Sequence, residues 1–170
     1  MKRVPSSKVY RLLYPAVPAV VAALHGGRAS AMPVVSVVSL SNRPAMVGFS
    51  SSRDHDTYSA VVKARCFSVS WLDKRHSAAV EALGSTSGRE RGDKLRASGL
   101  HYTARGSPPI PVITEASAYL TCSLVEVRRT GDHDLLVAGV KTARAIEDFG
   151  DYWAFKGYRP FLYSGRGRGY

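Results

Sequence analysis

A long β-hairpin in the last third of the chain sets the tightest limit on its fold. Residues 118–127 and 135–143 are rich in β-branched and apolar side chains and are joined around Thr130-Gly131-Asp132, so two extended strands run antiparallel. Further strand signals precede them. Residues 19–24 are continuously apolar and lead into Gly26-Gly27, which supplies the left-handed backbone of a tight hairpin. Residues 32–40 are too β-branched to prefer helix and read as one strand long enough to bend across a sheet. Asn42-Arg43-Pro44 turns the chain into a third strand over residues 45–49, and residues 66–72 alternate as a strand does. Short helices are expected over residues 57–64 and 75–83, with a helical turn opening at Asp93-Lys94-Leu95, while residues 99–111, rich in Gly and Pro, read as loop. Six strands with no regular βαβ alternation predict a mainly β chain with short helices, an antiparallel barrel carrying helical insertions.

At 170 residues and 45% hydrophobic content the chain suits one core-bearing domain. The expected division is a basic leader over residues 1–14, a barrel domain over 15–150, and an aromatic and basic segment over 151–170. Residues 1–11 carry Lys2, Arg3, Lys8 and Arg11 with no acid, and residues 151–170 carry Lys156, Arg159, Arg166 and Arg168 against Asp151. Most of the net charge of +11 therefore sits at the two ends. A nucleic-acid interface needs basic residues concentrated on a folded face with aromatic platforms among them, so this distribution argues against one. A modestly positive body attracts a small polyanion such as a nucleotide equally well.

Cys66 and Cys122 each lie in a strand-like apolar run without CxxC spacing, as buried thiols of a reducing compartment do. Lys2-Arg3, the apolar stretch 12–24 and Ala29-Ser30-Ala31 imitate a secretory signal, but Pro15 and Pro18 interrupt the stretch and His25-Gly26-Gly27-Arg28 separates it from the small residues. A cytoplasmic protein without a membrane span is expected. No HExxH, Walker, GxGxxG or paired-carboxylate pattern occurs, and histidines 25, 55, 76, 101 and 133 are too scattered to suggest a metal cluster.

The chemically richest stretch is Ser50-Ser51-Ser52-Arg53-Asp54-His55-Asp56-Thr57-Tyr58, between an apolar strand and a helix. Main-chain N–H groups at a helix start favour an anion, and Ser, Thr, Arg and His add hydrogen bonds to phosphate oxygens. The segment thus reads as a phosphate seat; the alternative is a polar loop in which Asp56 caps the helix.

The order of motifs resembles the flavin reductase-like family. The matching pieces are Pro18-Ala19-Val20-Val21, Ser30-Ala31-Met32-Pro33-Val34-Val35-Ser36 and Arg43-Pro44-Ala45-Met46-Val47-Gly48-Phe49. They continue with His55-Asp56-Thr57-Tyr58, Cys66-Phe67-Ser68-Val69-Ser70, Asp93-Lys94-Leu95, and Gly131-Asp132-His133 followed by Leu136-Val137-Ala138-Gly139-Val140. The resemblance implies an FMN-binding, Greek-key split β-barrel, usually homodimeric. It implies that Ser50, Ser51, Ser52, Arg53, His55 and Thr57 surround the phosphate, with Thr57 the phosphate-binding hydroxyl. Lys94 then approaches the flavin, and His133 lies near it where a nicotinamide is positioned. Ser36, Val37, Val38 and Ser39 run beside the isoalloxazine ring, chiefly through main-chain groups. Three departures stand out: Ser30 where many relatives have Asn, Pro33 in place of a larger or polar residue, and no carboxylate in Ala138-Gly139-Val140.

With FMN (or FAD) carrying the chemistry, no amino-acid nucleophile or metal is required. The expected activity is an NAD(P)H-dependent flavin oxidoreductase that takes electrons from NADH or NADPH and passes them to free flavin, a partner oxygenase or another redox protein. A flavin-binding electron carrier without direct nicotinamide activity is the alternative. A basic barrel that stacks RNA on Tyr102, Tyr152, Trp153, Phe155, Tyr158 and Tyr163 is a third. Trp153, Phe155, Tyr158, Phe161 and Tyr163 are too many aromatics for a free tail, so residues up to about 163 are expected to pack on the barrel or across a dimer.

Overall fold

The computed structural model describes residues 1–85, 93–146 and 158–164. Its central strand pattern begins with β1 (Ala19–His25), whose first five residues are all buried. Val21 and its alternate neighbours Ala19 and Ala23 enter one apolar core with Phe49, Val61, Phe67, Val69 and Leu136. Val20 and Ala22 enter a second with Leu72, Val80, Leu83, Leu95, Leu100 and Ile113. A strand packed on both faces needs a continuous apolar run, which is what residues 19–24 supply.

β1 pairs antiparallel with β2 (Arg28–Val34) through the Gly26-Gly27 turn, both glycines having positive φ. β3 (Val38–Asn42) and β4 (Ala45–Ser52) form the next hairpin. Then come α1 (Asp56–Ala64), β5 (Cys66–Leu72), a 3₁₀ turn at Lys74–His76, α2 (Ser77–Ser85) and the short α3 (Lys94–Ala97). The two-stranded β6 (Tyr102–Arg105) and β7 (Ile110–Ile113) precede the long hairpin of β8 (Ala116–Thr130) and β9 (His133–Ala145). All recorded pairings are antiparallel.

Seven strands join in the order β2-β1-β5-β8-β9-β4-β3. β2 and β3 are thus the two edges, yet only residues 35–37 separate them in sequence. Laid flat, strands six steps apart stand about 29 Å from each other, whereas the four steps from Val34 to Val38 reach at most about 14 Å. The sheet therefore curls until its edges approach, without the ladder that would close it: an antiparallel barrel that stays split.

Two expectations need correction. Residues 32–40 are not one strand but the end of β2 and the start of β3. The break centres on Ser36, whose hydroxyl accepts from the Ser50 N–H at 3.0 Å and donates to the Ser50 carbonyl at 3.1 Å, binding the connection to β4 by a side chain instead of a ladder. Residues 99–111 are not wholly loop, because they contain β6 and the beginning of β7. With these, nine strands occur among the described residues. No helix among those residues is long and apolar enough to cross a membrane.

The leader forms a 3₁₀ helix (Ser6–Leu13) with no buried residue, and Ala16 then exchanges two backbone hydrogen bonds with Tyr163. Residues 147–157 and 165–170 lie outside the described set, which takes Tyr152, Trp153, Phe155 and the Gly-Arg end with them. Of the remaining aromatics, Tyr158 is buried, which closes its ring to base stacking, and Phe161 packs against the second core. Arg159 clamps this segment to Asp73. Its Nη2 and Nε donate to the two carboxylate oxygens at 2.9 and 3.1 Å, and its N–H donates at 3.0 Å. The Arg159 side chain, helped by the N–H groups of Arg75 and Arg159, holds the Asp73 carboxyl far below the usual carboxylate range. A depressed folded-state value means the contribution is complete at neutral pH. It begins to fade as pH drops below the unfolded carboxyl value of about 3.9 and is lost only in much stronger acid. Arg159→Ala is expected to remove that component of acid sensitivity and to expose residues 158–164 to limited proteolysis at pH 7. Identical proteolysis of the two proteins would refute the clamp.

Candidate functional site

The polar turn at the end of β4 is organised around the start of α1. His55 is the residue preceding the helix, with extended backbone and no side-chain bond back to it, and Ser59 N–H donates to its carbonyl at 3.2 Å to begin the ladder. Asp56 is in the first helical turn and is not the cap, which corrects the capping alternative. The first N–H groups of α1 consequently receive no acceptor from the cap side chain, and the helix start keeps its attraction for an anion.

Thr57 is 2% exposed, and its hydroxyl meets that of Ser30 on β2 at 2.9 Å. Lys94, at the start of α3, is 9% exposed. Burial pulls its ammonium pKa down, and the neighbouring Asp56 carboxylate partly opposes that shift. A hydroxyl, a buried cation and a helix N-terminus thus come together from β2, α1 and α3. Asp93 makes the placement of Lys94 possible by capping α3, accepting from the Arg96 N–H at 3.2 Å.

The other expected residues have distinct tasks. Ser51 is buried, and its hydroxyl lies 3.0 Å from the Ser52 carbonyl and 3.1 Å from His55 Nδ1, bonding the turn to itself. Ser52 Oγ accepts from the Asp54 N–H. Arg53 donates to the Gly131 carbonyl at 3.0 Å and stands 3.6 Å from Asp134 Oδ1. His133 lies opposite Ser52 in the β4/β9 ladder, with Nδ1 2.9 Å from Asp132 Oδ1. Ser36 and Ser50 are bonded as described, and Val38 and Ser39 pair with Gly48 and Val47 along the β3 edge, Val37 packing against the first core. An added Cβ at Gly48 would stand 2.9 Å from Leu40 Cδ1, so the exposed Leu40 side chain would have to shift.

Three residues of this neighbourhood were missed as site members: Ser30, Tyr58 and Asp134. Tyr58 donates its hydroxyl proton to Asp134 Oδ2 at 2.6 Å. In sequence Ser30 stands only as part of the Ser30–Ser36 motif and of its departure from Asn, because its partner Thr57 is 27 residues away. Asp134 lies beside the noticed Gly131-Asp132-His133 turn, but nothing local distinguishes it from an exposed hairpin acid. Among the described residues no group of three or more His, Cys, Asp and Glu could hold a metal.

The donor set suits the phosphate end of a flavin mononucleotide. Thr57 keeps hydroxyl capacity beyond its bond to Ser30, the helix start has no side-chain cap, and a buried ammonium is otherwise costly to keep.

Residues 10–167 match the model of the flavin reductase like domain, and the chain belongs to that family. It is 32% identical over 169 residues to an uncharacterized protein of Aeropyrum pernix, covering 99% of this chain and 64% of that one. It is 31% identical over 126 residues to the reductase component of a 4-nitrophenol 4-monooxygenase/4-nitrocatechol 2-monooxygenase of Rhodococcus opacus, covering 74% of this chain and 64% of that one. The chain thus spans a little under two thirds of the length of these relatives. Among solved structures it resembles an FMN-binding protein from Thermus thermophilus with bound 1-cyclohex-2-enone, at 34% identity and a TM-score of 0.80, covering 99% of this chain and 90% of that one.

Proposed function

We propose that this chain is an FMN-binding, NAD(P)H-dependent flavin oxidoreductase, acting in the cytoplasm as a homodimer and passing electrons to free flavin or to a partner oxygenase. What supports the reading is the buried Thr57 hydroxyl at the side-chain-uncapped start of α1, with the buried Lys94 close enough to Asp56 to feel its charge. Kinship with an FMN-binding protein and with a monooxygenase reductase component supports it.

FMN, when bound, supplies the hydride and electron chemistry. The chain's residues hold and orient it: Thr57 and the α1 N–H groups take the phosphate, and Lys94 adds positive charge. The Ser36–Ser39 backbone borders the ring, and His133 at the hairpin tip helps orient the nicotinamide. Ser51, Ser52 and His55 keep the turn in shape beneath the phosphate.

The test is a visible spectrum of the purified protein mixed with FMN or FAD, followed by anaerobic NADH and then NADPH. A perturbed flavin spectrum that bleaches faster than free flavin is expected. Binding without bleaching would make the chain an electron carrier, and failure to bind either flavin would overturn the phosphate seat.

A further inference from the structure

Asp134 is a carboxylate on β9 with 5% exposure, directly opposite Ser51 in the β4/β9 ladder. Its Oδ2 accepts the Tyr58 proton at 2.6 Å, a bond that raises the Tyr58 hydroxyl pKa. Its Oδ1 takes no hydrogen bond and stands 3.6 Å from Arg53 Nε. A buried carboxylate with one oxygen so poorly served is expensive to keep. What it achieves is connection. Through Arg53 it holds the turn after β4, through Tyr58 it holds the first turn of α1, and Arg53 also binds the hairpin tip at the Gly131 carbonyl.

The direction of these bonds matters for the anion seat. Successive residues on an α-helix point about 100° apart. Tyr58 bonds to Asp134 on β9, while the preceding Thr57 bonds to Ser30 on β2. The two bonds pin the rotation of the helix start about its own axis from two sides, and that rotation decides where Thr57 and the first N–H groups aim. Arg53, committed to Gly131 and Asp134, belongs to this brace.

We propose that Asp134 is a positioning residue for the phosphate of the flavin, acting through Tyr58 and Arg53 to fix the aim of the α1 N-terminus. This rests on the FMN-binding reading above. A ligand without the phosphate makes no use of that aim, so the brace separates FMN from riboflavin.

Dissociation constants for FMN and for riboflavin, measured by quenching of flavin fluorescence, test it in the wild-type protein, Asp134→Asn and Tyr58→Phe. Asp134→Asn should weaken FMN about tenfold and Tyr58→Phe about threefold, the scale of a hydrogen bond involving a charged group felt partly at a distance. Riboflavin affinity should change less than about twofold in both. Tyr58→Phe keeps the ring and its packing, so it decides the matter if Asp134→Asn does not fold. Equal loss for both ligands, or unchanged FMN affinity, would overturn the brace. Wild-type protein that binds FMN no better than riboflavin would instead overturn the phosphate seat itself, and the brace with it.

Discussion

Lys94→Met is expected to weaken FMN binding by about tenfold or more, the scale of a lost charge-assisted hydrogen bond, while leaving the folded protein as stable as before or more so. The two effects separate because Lys94 is 9% exposed and its ammonium is disfavoured by burial, with only partial relief from Asp56. Methionine has similar length, fills the space and removes that desolvation cost, while the half-buried Asp56 keeps access to solvent. The pH dependence follows in sign. A lysine whose folded-state pKa is depressed weighs against folding most where it is charged in both states. That burden lifts as pH rises toward the ordinary lysine value of about 10.4, so the advantage of methionine should shrink in alkali. Parallel urea denaturation and FMN titration would decide it. A variant that loses stability but keeps its FMN affinity would show that Lys94 serves the fold and not the ligand.

Phe67→Ala should cost about 3–5 kcal/mol, the usual range for deleting a buried aromatic side chain. Phe67 is fully buried on β5, meets Phe49 edge to face with centroids 5.4 Å apart, and sits opposite the buried Cys122 on β8. The cavity would open beneath β4, the strand that delivers Ser50–Ser52 to the site, so flavin binding should weaken along with the fold. Domains of this kind have roughly 5–15 kcal/mol in total, and the variant should be partly unfolded near 37 °C. Phe67→Leu, which retains most of the volume, should cost much less. A loss under about 1 kcal/mol for the alanine variant would mean that the two-ring contact is not a centre of the core.

The parts of this architecture that local pattern can specify were legible. Residues 66–72 alternate and form β5 with those same ends; the helix expected at 57 begins one residue earlier. The long hairpin was found, though each strand extends beyond its apolar stretch, β8 to Thr130 and β9 to Ala145. Errors arose where a distant partner decides the conformation. Residues 32–40 are rich in valine on both sides of Ser36, and the break there is explained by Ser50, 14 residues after Ser36. The Pro-rich sequence around 106–111 hides β7, which is held in place by burial of Ile110, Val112 and Ile113 and by the Ser68 hydroxyl donating to the Pro111 carbonyl. At the site, residue types in one turn suggest a place for an anion, the reading proposed above. The task of each was not written there: Arg53 looked like a phosphate ligand and is engaged by Gly131 and Asp134, which are 78 and 81 positions further along.

The sheet order also has a consequence for how the molecule comes into being. The first two hairpins, β1/β2 and β3/β4, emerge early from the ribosome, but they are not neighbours in the finished sheet. β5, β8 and β9 lie between them, and all three are made after both hairpins. Until β9 is available, α1 lacks the Tyr58 anchor on Asp134, and β4 lacks a partner on its inner side. A nascent chain therefore gains the site in one late, non-local step, the type of pairing that folds on the order of milliseconds to seconds. The final shape of the turn is thereby deferred until β9 has been made, and a fragment ending before residue 133 would carry the entire Ser-Arg-His turn without Asp134 to anchor Arg53 and Tyr58.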